Sequence, residues 1–565
     1  MKESLVIKSH FLIIIMAGYF TLILNWPFFS RLYGYIFALE SYSSAFALSI
    51  PVLLFSLLCF LFSLFVVKGL SKLIFIPLLI ISAVVSYASQ EYGVVFNYGM
   101  IENVVETDVA EASSYVNIRS LIYVVLLGLI PAVFVYRIEI SYFPFLKELG
   151  VRVAVQLCSV LMSVGMAWGF YEDYAAVGRN NQGIQRYINP TEYIYSTVNF
   201  LKTNFVTAQH EFISLGDDAK IATAHAGKKP TFMVMALGET ARANEYEYNG
   251  YTRDTNSFTK PLHMLSLGSV ESCGTATAVS VPCMFSFLTH ANYDKEAAAH
   301  QDNVLDVLAK AGVQVYWVDN NSGCKGVCKH VTTIKVDVSA TNPNCDGEYC
   351  FDQVLLPYLS NLLKQNKGRD TLLVLHLIGS HGPTYYRRYP EQQRFFTPDC
   401  ARSDIQNCTH EELQNSYDNT IRYTDFVISE IIRQLETASA DYDTALVYMS
   451  DHGESLGEKG LYLHGLPYDI APSEQKHVPA LVWASHDYRT DRLWQPACME
   501  KPAGQVSQDV LSHSLLGMME VETALYDKTM DVSAQWRCIE RPIAAQHTAA
   551  NDKQPELIQP GAKPL

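Results

Sequence analysis

Three short apolar runs in this sequence each hand over to acidic or imidazole residues. Phe232-Met-Val-Met-Ala-Leu237 leads into Gly238-Glu239-Thr240. Leu372-Leu-Val-Leu375 passes through His376 to Gly379-Ser380-His381-Gly382, and Leu446-Val-Tyr-Met449 leads into Ser450-Asp451-His452-Gly453-Glu454. Read as buried strands, the runs deliver these side chains to their carboxyl ends, the edge at which open α/β sheets bind ligands. Carboxylate and imidazole together are zinc-ligand chemistry. A single Asp-His pair is an ordinary structural feature, but three strands with the same order of strand then ligand predict a metal site.

The segment Ser272-Cys273-Gly274-Thr275-Ala276-Thr277-Ala278-Val279-Ser280-Val281-Pro282-Cys283 supplies a different chemistry. Small residues followed by β-branched hydroxyls suit a tight turn that opens a helix, and helix N-termini attract anions. Thr275 and Thr277 are both candidate nucleophiles, provided a metal or base takes the hydroxyl proton. The same pattern is met by two helix caps, and spacing alone leaves the choice open.

From residue 226 to 545, short apolar runs alternate with amphipathic helical patterns, which predicts an α/β domain with a largely parallel sheet. The first 170 of the 565 residues differ in kind. Stretches near 10–30, 44–67, 70–90, 118–138 and 148–170 are apolar over the about 20 residues that a helix needs to cross a bilayer, so residues 1–170 read as a transmembrane domain of five helices. Lys2 and Lys8, Lys68 and Lys72, and Arg137, Lys147 and Arg152 fall on alternate sides, while Glu91, Glu102, Glu106, Asp108 and Glu111 share a loop on the other. By the bias of basic residues, the chain starts in the cytoplasm and its C-terminal two thirds lie outside it. Residues 171–225 read as a connector in which Tyr193, Ile194, Val198, Phe200 and Leu201 sit at helical spacing, either along the membrane surface or against the soluble domain. Residues 546–565 read as a mobile tail.

Ten of the twelve cysteines follow residue 270. Closely spaced pairs in an exported region predict disulfides over zinc fingers. Pairing by sequence neighbour gives Cys273–Cys283, Cys324–Cys328, Cys345–Cys350 and Cys400–Cys408, leaving Cys498 and Cys538 for each other. A formal charge of −15 argues against a nucleic-acid partner and leaves any anionic substrate to local cations or a metal. A monomer is expected. Asn103, Thr107 and Glu111, at i, i+4 and i+8 of the outward loop, would share one face of a helix, while Glu106 and Asp108 read as solvated.

Gly238-Glu239-Thr240-Ala-Arg242, the Cys273–Cys283 segment, Asn321-Ser322-Gly323-Cys324-Lys325, Gly379-Ser380-His381-Gly382-Pro383, and Ser450-Asp451-His452-Gly453-Glu454 with His464 together resemble the phosphoethanolamine–lipid A transferases, a family that includes the mobile colistin-resistance enzymes. The resemblance covers the whole chain, and its one departure is Ala276, where some relatives carry a hydroxyl. It implies a soluble domain similar to alkaline phosphatases and sulfatases, in the periplasm of a bacterium and anchored in the inner membrane. It also implies Thr277 as nucleophile; Glu239, Thr277, Asp451 and His452 around one zinc ion; and His381 and His464 in phosphate handling, proton transfer or a second zinc. Ser322 and Lys325 match substrate contacts, and Asn103, Thr107 and Glu111 match contacts to the donor lipid. The activity it implies is transfer of phosphoethanolamine from phosphatidylethanolamine to a lipid A phosphate, with polymyxin resistance as the consequence. The alternative is a related phosphoglycerol or phosphoethanolamine transferase acting on a glucan or core sugar.

Overall fold

The computed structural model describes residues 5–37, 43–107, 109–180, 183–205, 211–225, 227–339, 341–495, 498–500 and 504–537. The expected tail and Cys538 lie outside them.

The first apolar stretch is not one straight helix. α1 (Ser9–Tyr19) tightens into a π-turn at Phe20–Leu24, and after Asn25 the chain leaves as α2 (Trp26–Phe37), bent by 56°. Pro27 has no N–H to give to the helix ladder. The Asn25 side chain offsets the break: its Nδ2 donates to the carbonyls of Phe20 (3.0 Å) and Asn189 (2.6 Å), and its Oδ1 accepts from the Asn189 N–H (2.8 Å). Satisfying freed backbone groups in this way is the condition for a broken helix at membrane depth.

α3 (Ser44–Phe65) and α4 (Ser71–Glu91) follow, then two short helices, α5 (Tyr98–Glu106) and α6 (Val109–Ser114). A further span runs from α7 (Ile118–Val124) through a π-turn into α8 (Ile130–Arg137), and α9 (Phe145–Gly169) completes the set. Among the described residues, four helices are long and apolar enough to cross a membrane, or five if the bent pair counts as one span. Leu161 and Trp168 of α9 are 71% and 86% exposed, as suits side chains solvated by lipid. The connector holds α10 (Tyr171–Asn180) and α11 (Thr191–Phe205). α11 buries Tyr193 and Phe200, the Tyr193 hydroxyl meeting Ser82 of α4 at 3.0 Å, and leaves Ile194, Val198 and Leu201 exposed on its other face.

The C-terminal part is built on one eight-stranded sheet: β1 (Thr231–Gly238), β2 (Leu265–Glu271), β3 (Gln314–Asp319), β4 (Thr332–Lys335), β5 (Thr371–His376), β6 (Asp443–Ser450), β7 (His477–Ala484) and β8 (Val506–Ser507), in the order β8-β2-β7-β6-β1-β5-β3-β4. The five strands from β6 to β4 are parallel; β7 runs antiparallel to both β6 and β2. The sheet is therefore mixed and mostly parallel. Its central strands read as continuous apolar runs because both faces are covered. Phe232, Val234 and Ala236 face one core with the helix His410–Thr437, and Met233, Met235 and Leu237 face the other.

The first of these cores continues into the membrane half. Tyr87 and Tyr92 from the end of α4, with Val94, pack into it alongside Leu463, Tyr385 and Tyr417. The Tyr462 N–H donates to the Tyr92 carbonyl at 3.0 Å, and Arg186 grips Asp469 through both terminal nitrogens at 3.0 Å. This packing fixes the carboxyl edge of the sheet against α5 and α6.

Candidate active site

Gly238 of β1 pairs with Ser450 of β6, so Glu239 and Asp451 leave adjacent strands at the same level. Thr240 then turns through φ 58°, a left-handed conformation rare for a β-branched residue. The surroundings impose it. Its N–H donates to Asp451 Oδ1 (3.1 Å), its hydroxyl to Glu239 Oε1 (2.6 Å), and its carbonyl accepts from the Tyr417 hydroxyl (2.7 Å). Gly379 brings the next loop in: a Cβ there would sit 2.7 Å from the Glu239 carbonyl oxygen, so only glycine allows the approach that seats His381.

Thr277 is the first residue of α12 (Thr277–Met284), behind the Cys273–Cys283 disulfide. Its Oγ1 lies 3.2 and 3.3 Å from the two Glu239 carboxylate oxygens and 3.3 Å from His452 Nε2. His452 Nδ1 faces the Gly453 carbonyl at 2.9 Å, which leaves Nε2 facing Thr277 and both carboxylates. Thr275 is differently employed: its hydroxyl donates to the Leu466 carbonyl at 2.5 Å. The structure therefore brings Thr277, and not Thr275, to the acidic cluster.

Glu239, Asp451 and His452 are all fully buried and offer ligand atoms within 4.8 Å of one another. Burial and the neighbouring Glu239 charge push the Asp451 carboxyl above the usual carboxylate range. Asp451 Oδ2 is buried without a hydrogen-bond partner. Two buried carboxylates, one oxygen without a hydrogen bond, an imidazole nitrogen and a hydroxyl form a donor set that fits a divalent cation. Asn321 completes the surround by donating from Nδ2 to Glu239 Oε2 at 2.8 Å.

His381 and His464 stand beside this cluster, their rings 5.4 Å apart and that of His464 4.4 Å from His452. His464 Nδ1 lies 2.9 Å from Glu454 Oε2. His381 Nε2 lies 3.3 Å from Glu111 Oε1. Burial disfavours the charged imidazole, but Glu111 and, further away, Glu239 outweigh it and raise the His381 pKa. His376, from the same apolar run, takes no part: it is buried against Trp317 and faces Asp319 at 3.2 Å. It ends its strand pointing into the core.

The membrane-side residues differ from their expected arrangement. Asn103, Thr107 and Glu111 are not on one helix, because α5 ends at Glu106 and Thr107 turns its hydroxyl back to the Asn103 carbonyl (2.6 Å). They nevertheless converge, lining one cavity of about 480 Å³ together with His464. The rest of that cavity is almost wholly apolar, with Val84, Phe96, Met100, Tyr115 and Leu121 among its walls. Glu106 is not simply solvated either: it lies 3.4 Å from Lys325 Nζ and 3.5 Å from Lys295 Nζ. Asp108 lies outside the described residues.

Lys295 carried no signal in the sequence. Its ammonium meets buried Glu102 of α5 at 2.6 Å and donates to the Ala278 carbonyl, one residue after Thr277, at 3.2 Å. It thus ties α12, which Thr277 opens, to the helix that carries Asn103. Ser322, in the loop after β3, lines a second cleft with Asn321 and His381. The Cys324–Cys328, Cys345–Cys350 and Cys400–Cys408 bonds are present; Cys498 is also disulfide-bonded, and its expected partner Cys538 lies outside the described residues.

Comparison with known proteins agrees with this architecture. Residues 231–521 match the sulfatase family and residues 54–205 the phosphoethanolamine transferase EptA/EptB family. Phosphoethanolamine transferase EptA of Salmonella typhimurium is 38% identical over 86% of this chain and 89% of its own length. The chain belongs to the phosphoethanolamine transferase family. Phosphatidylethanolamine transferase Mcr-2 from Escherichia coli is 40% identical over 74% of this chain and 79% of its own. The integral membrane lipooligosaccharide phosphoethanolamine transferase A of Neisseria meningitidis superimposes with a TM-score of 0.91 at 36% identity, over 94% of this chain and 99% of that one. That last match spans both halves, so the seating of the sheet on the apolar helices is a property of the family's fold.

Proposed function

We propose that this chain transfers phosphoethanolamine from phosphatidylethanolamine to a lipid A phosphate at the periplasmic face of a bacterial inner membrane, through a covalent intermediate on Thr277. One observation carries the reading. The Thr277 hydroxyl lies within 3.3 Å of a carboxylate and an imidazole of a metal-binding trio, beside an apolar cavity whose polar end is Glu111 and His464.

Glu239, Asp451, His452 and the Thr277 oxygen would hold one zinc ion, which fills four positions of the kind that zinc prefers. When bound, such an ion supplies a Lewis acid that lowers the pKa of a neighbouring hydroxyl and offsets charge on phosphoryl oxygens. The apolar cavity takes the donor's acyl chains. Glu111 faces the ethanolamine ammonium while Asn103 and Thr107 offer hydrogen bonds, and Ser322 and Lys325 face the phosphoryl oxygens. The Thr277 hydroxyl loses its proton to the medium, its oxygen attacks phosphorus in line, and the bond to the diacylglycerol oxygen breaks with the electron pair going to that oxygen. His381, held protonated beside Glu111, gives that oxygen its proton, with His464 as the second candidate. A lipid A phosphate then takes the group from Thr277. Both substrates are lipids, and a membrane-anchored site meets them already concentrated in the bilayer.

The product carries an added ammonium, so the cell surface becomes less anionic and cationic peptides such as polymyxin bind it less. Incubating the protein with phosphatidylethanolamine alone should add the mass of one phosphoethanolamine group to the Thr277 peptide, and cells expressing it should carry the same increment on lipid A. An unmodified lipid A in expressing cells would overturn the assignment.

A further inference from the structure

Two cavities meet at one residue. The apolar one ends on Glu111 and His464; a second, of about 350 Å³, lies against Glu111 and His381. The walls of the second differ in kind. They include Asn320, Asn321 and Ser322 from the loop after β3, Lys335 at the carboxyl end of β4, and Glu348 from the loop closed by Cys345–Cys350. Amides, a hydroxyl, the Asp319 and Glu348 carboxylates and an ammonium are set among Val336, Val338, Tyr349 and Ile378, a larger polar share than in the first cavity. Val109 of α6, 86% exposed, also lines it, on the helix that leads into the next membrane span.

A two-step transfer through Thr277 sets a condition on these openings. Displacement at phosphorus is in line, and the Thr277 oxygen holds one apex in both steps. The oxygen that leaves in the first step and the oxygen that attacks in the second therefore use the same opposite apex. Donor and acceptor must reach one point, but they need not reach it by one path. The junction at Glu111, beside the rings of His381 and His464 that lie 5.4 Å apart, is reached by a cavity from each of two sides.

We infer that the second cavity receives the phosphorylated sugar of the acceptor lipid, with Lys335 as the cation that its phosphate meets. The inference rests on the function proposed above. The Ser322 hydroxyl and the Glu348 carboxylate, one oxygen of which meets Arg387 at 2.9 Å, are hydrogen-bond partners for sugar hydroxyls, Val336 and Ile378 give the ring's carbon face a surface, and Lys335 is exposed with no ion-pair partner among the described residues. Acyl chains of the acceptor stay in the bilayer beyond Val109. In the second step the bond from phosphorus to the Thr277 oxygen breaks as the bond to the acceptor phosphate oxygen forms. The electron pair returns to Thr277, and a proton from the medium restores its hydroxyl.

The two half-reactions separate this cavity from the donor's. Full-length protein in lipid nanodiscs is loaded with phosphatidylethanolamine alone, then chased with lipid A, and the Thr277 peptide is followed by mass. For Lys335→Glu, loading should proceed within about twofold of wild type while discharge to lipid A slows by roughly tenfold or more; Lys335→Arg should restore most of the discharge. Unchanged discharge in Lys335→Glu, or a loss of loading equal to the loss of discharge, would overturn the assignment of the cavity. A wild-type chain that never carries the adduct would overturn the proposed function, and this inference with it.

Discussion

The sheet carries a buried charged cluster at each end, and only one of them is complete in itself. At the amino ends of the strands, His225 stands between Asp370 (3.0 Å) and Glu520 (2.8 Å), Lys228 meets Glu520 at 3.1 Å, and Arg492 meets Asp443 at 3.0 Å and Glu520 at 3.2 Å. Three cations face three carboxylates. At the carboxyl ends, Glu239 and Asp451 face each other with His452 between them, Asp451 Oδ2 has no hydrogen bond and only His452 Nε2 at 3.4 Å, and Thr240 is held in a strained turn. A cluster that exists to hold the fold balances its own charge. One that leaves carboxylates in mutual repulsion is built around something the chain does not supply.

The largest test of that contrast is Thr277→Ala. It should lower transfer by about a thousandfold or more while the melting temperature hardly moves, because a nucleophile is lost and no buried charge is uncovered. At the other end the signs reverse. Arg492→Met takes the cation from buried Asp443 and one of three from Glu520, and should cost about 3–5 kcal/mol of stability in chemical denaturation without changing kcat in the protein that remains folded. A loss of kcat there would break the comparison.

The carboxyl-end cluster should also respond to metal in a way the amino-end cluster cannot. Chelation should remove one zinc per chain by elemental analysis, abolish transfer, and lower stability by about 2.7 kcal/mol relative to protein in a hundredfold excess over the dissociation constant. Asp451→Asn sharpens this: metal and activity should both be lost, yet the metal-free variant should melt no lower than the metal-free wild type, since one of two repelling buried charges is gone. A clear destabilisation would show that Asp451 is a structural acid after all.

The smallest effect is on pH dependence. Hydrogen bonds to Asp370 and Glu520 raise the His225 pKa from 6.5 to about 9 against the opposing effect of burial. A raised folded-state value means that the stabilisation is full below about pH 6.5 and fades as pH climbs through 9. The wild-type melting temperature should therefore decline over that interval, and His225→Gln should flatten the decline.

Much of the active edge was legible because it is written locally. A strand that is covered on both faces must read as an apolar run, and whatever follows it must emerge at the carboxyl edge; this places Glu239, Asp451 and His452 from the sequence alone. The disulfides join cysteines separated by 10, 4, 5 and 8 residues, where chain proximity already favours the neighbour. His376 and the supposed single helix through Asn103, Thr107 and Glu111 misled for the same reason in reverse. Periodicity does not tell which side of a strand end a residue faces, nor that Thr107 will turn its hydroxyl back to end α5.

The sequence by itself determined the partition into apolar helices and an α/β domain, the family, and the candidate cluster Glu239, Asp451 and His452 at the carboxyl edge of the sheet, because hydrophobic period and motif identity are properties of neighbouring residues. Spacing left Thr275 and Thr277 open and the resemblance favoured Thr277; the tertiary structure alone shows Thr277 meeting Glu239 and His452 while Thr275 bonds Leu466, and Lys295 joining α12 to Glu102. It also decided that two cavities, one with a larger polar share than the other, converge on Glu111. Each of these depends on groups brought together from distant parts of the chain, and only the packing of α4, α5 and α6 against the sheet sets the distances between them.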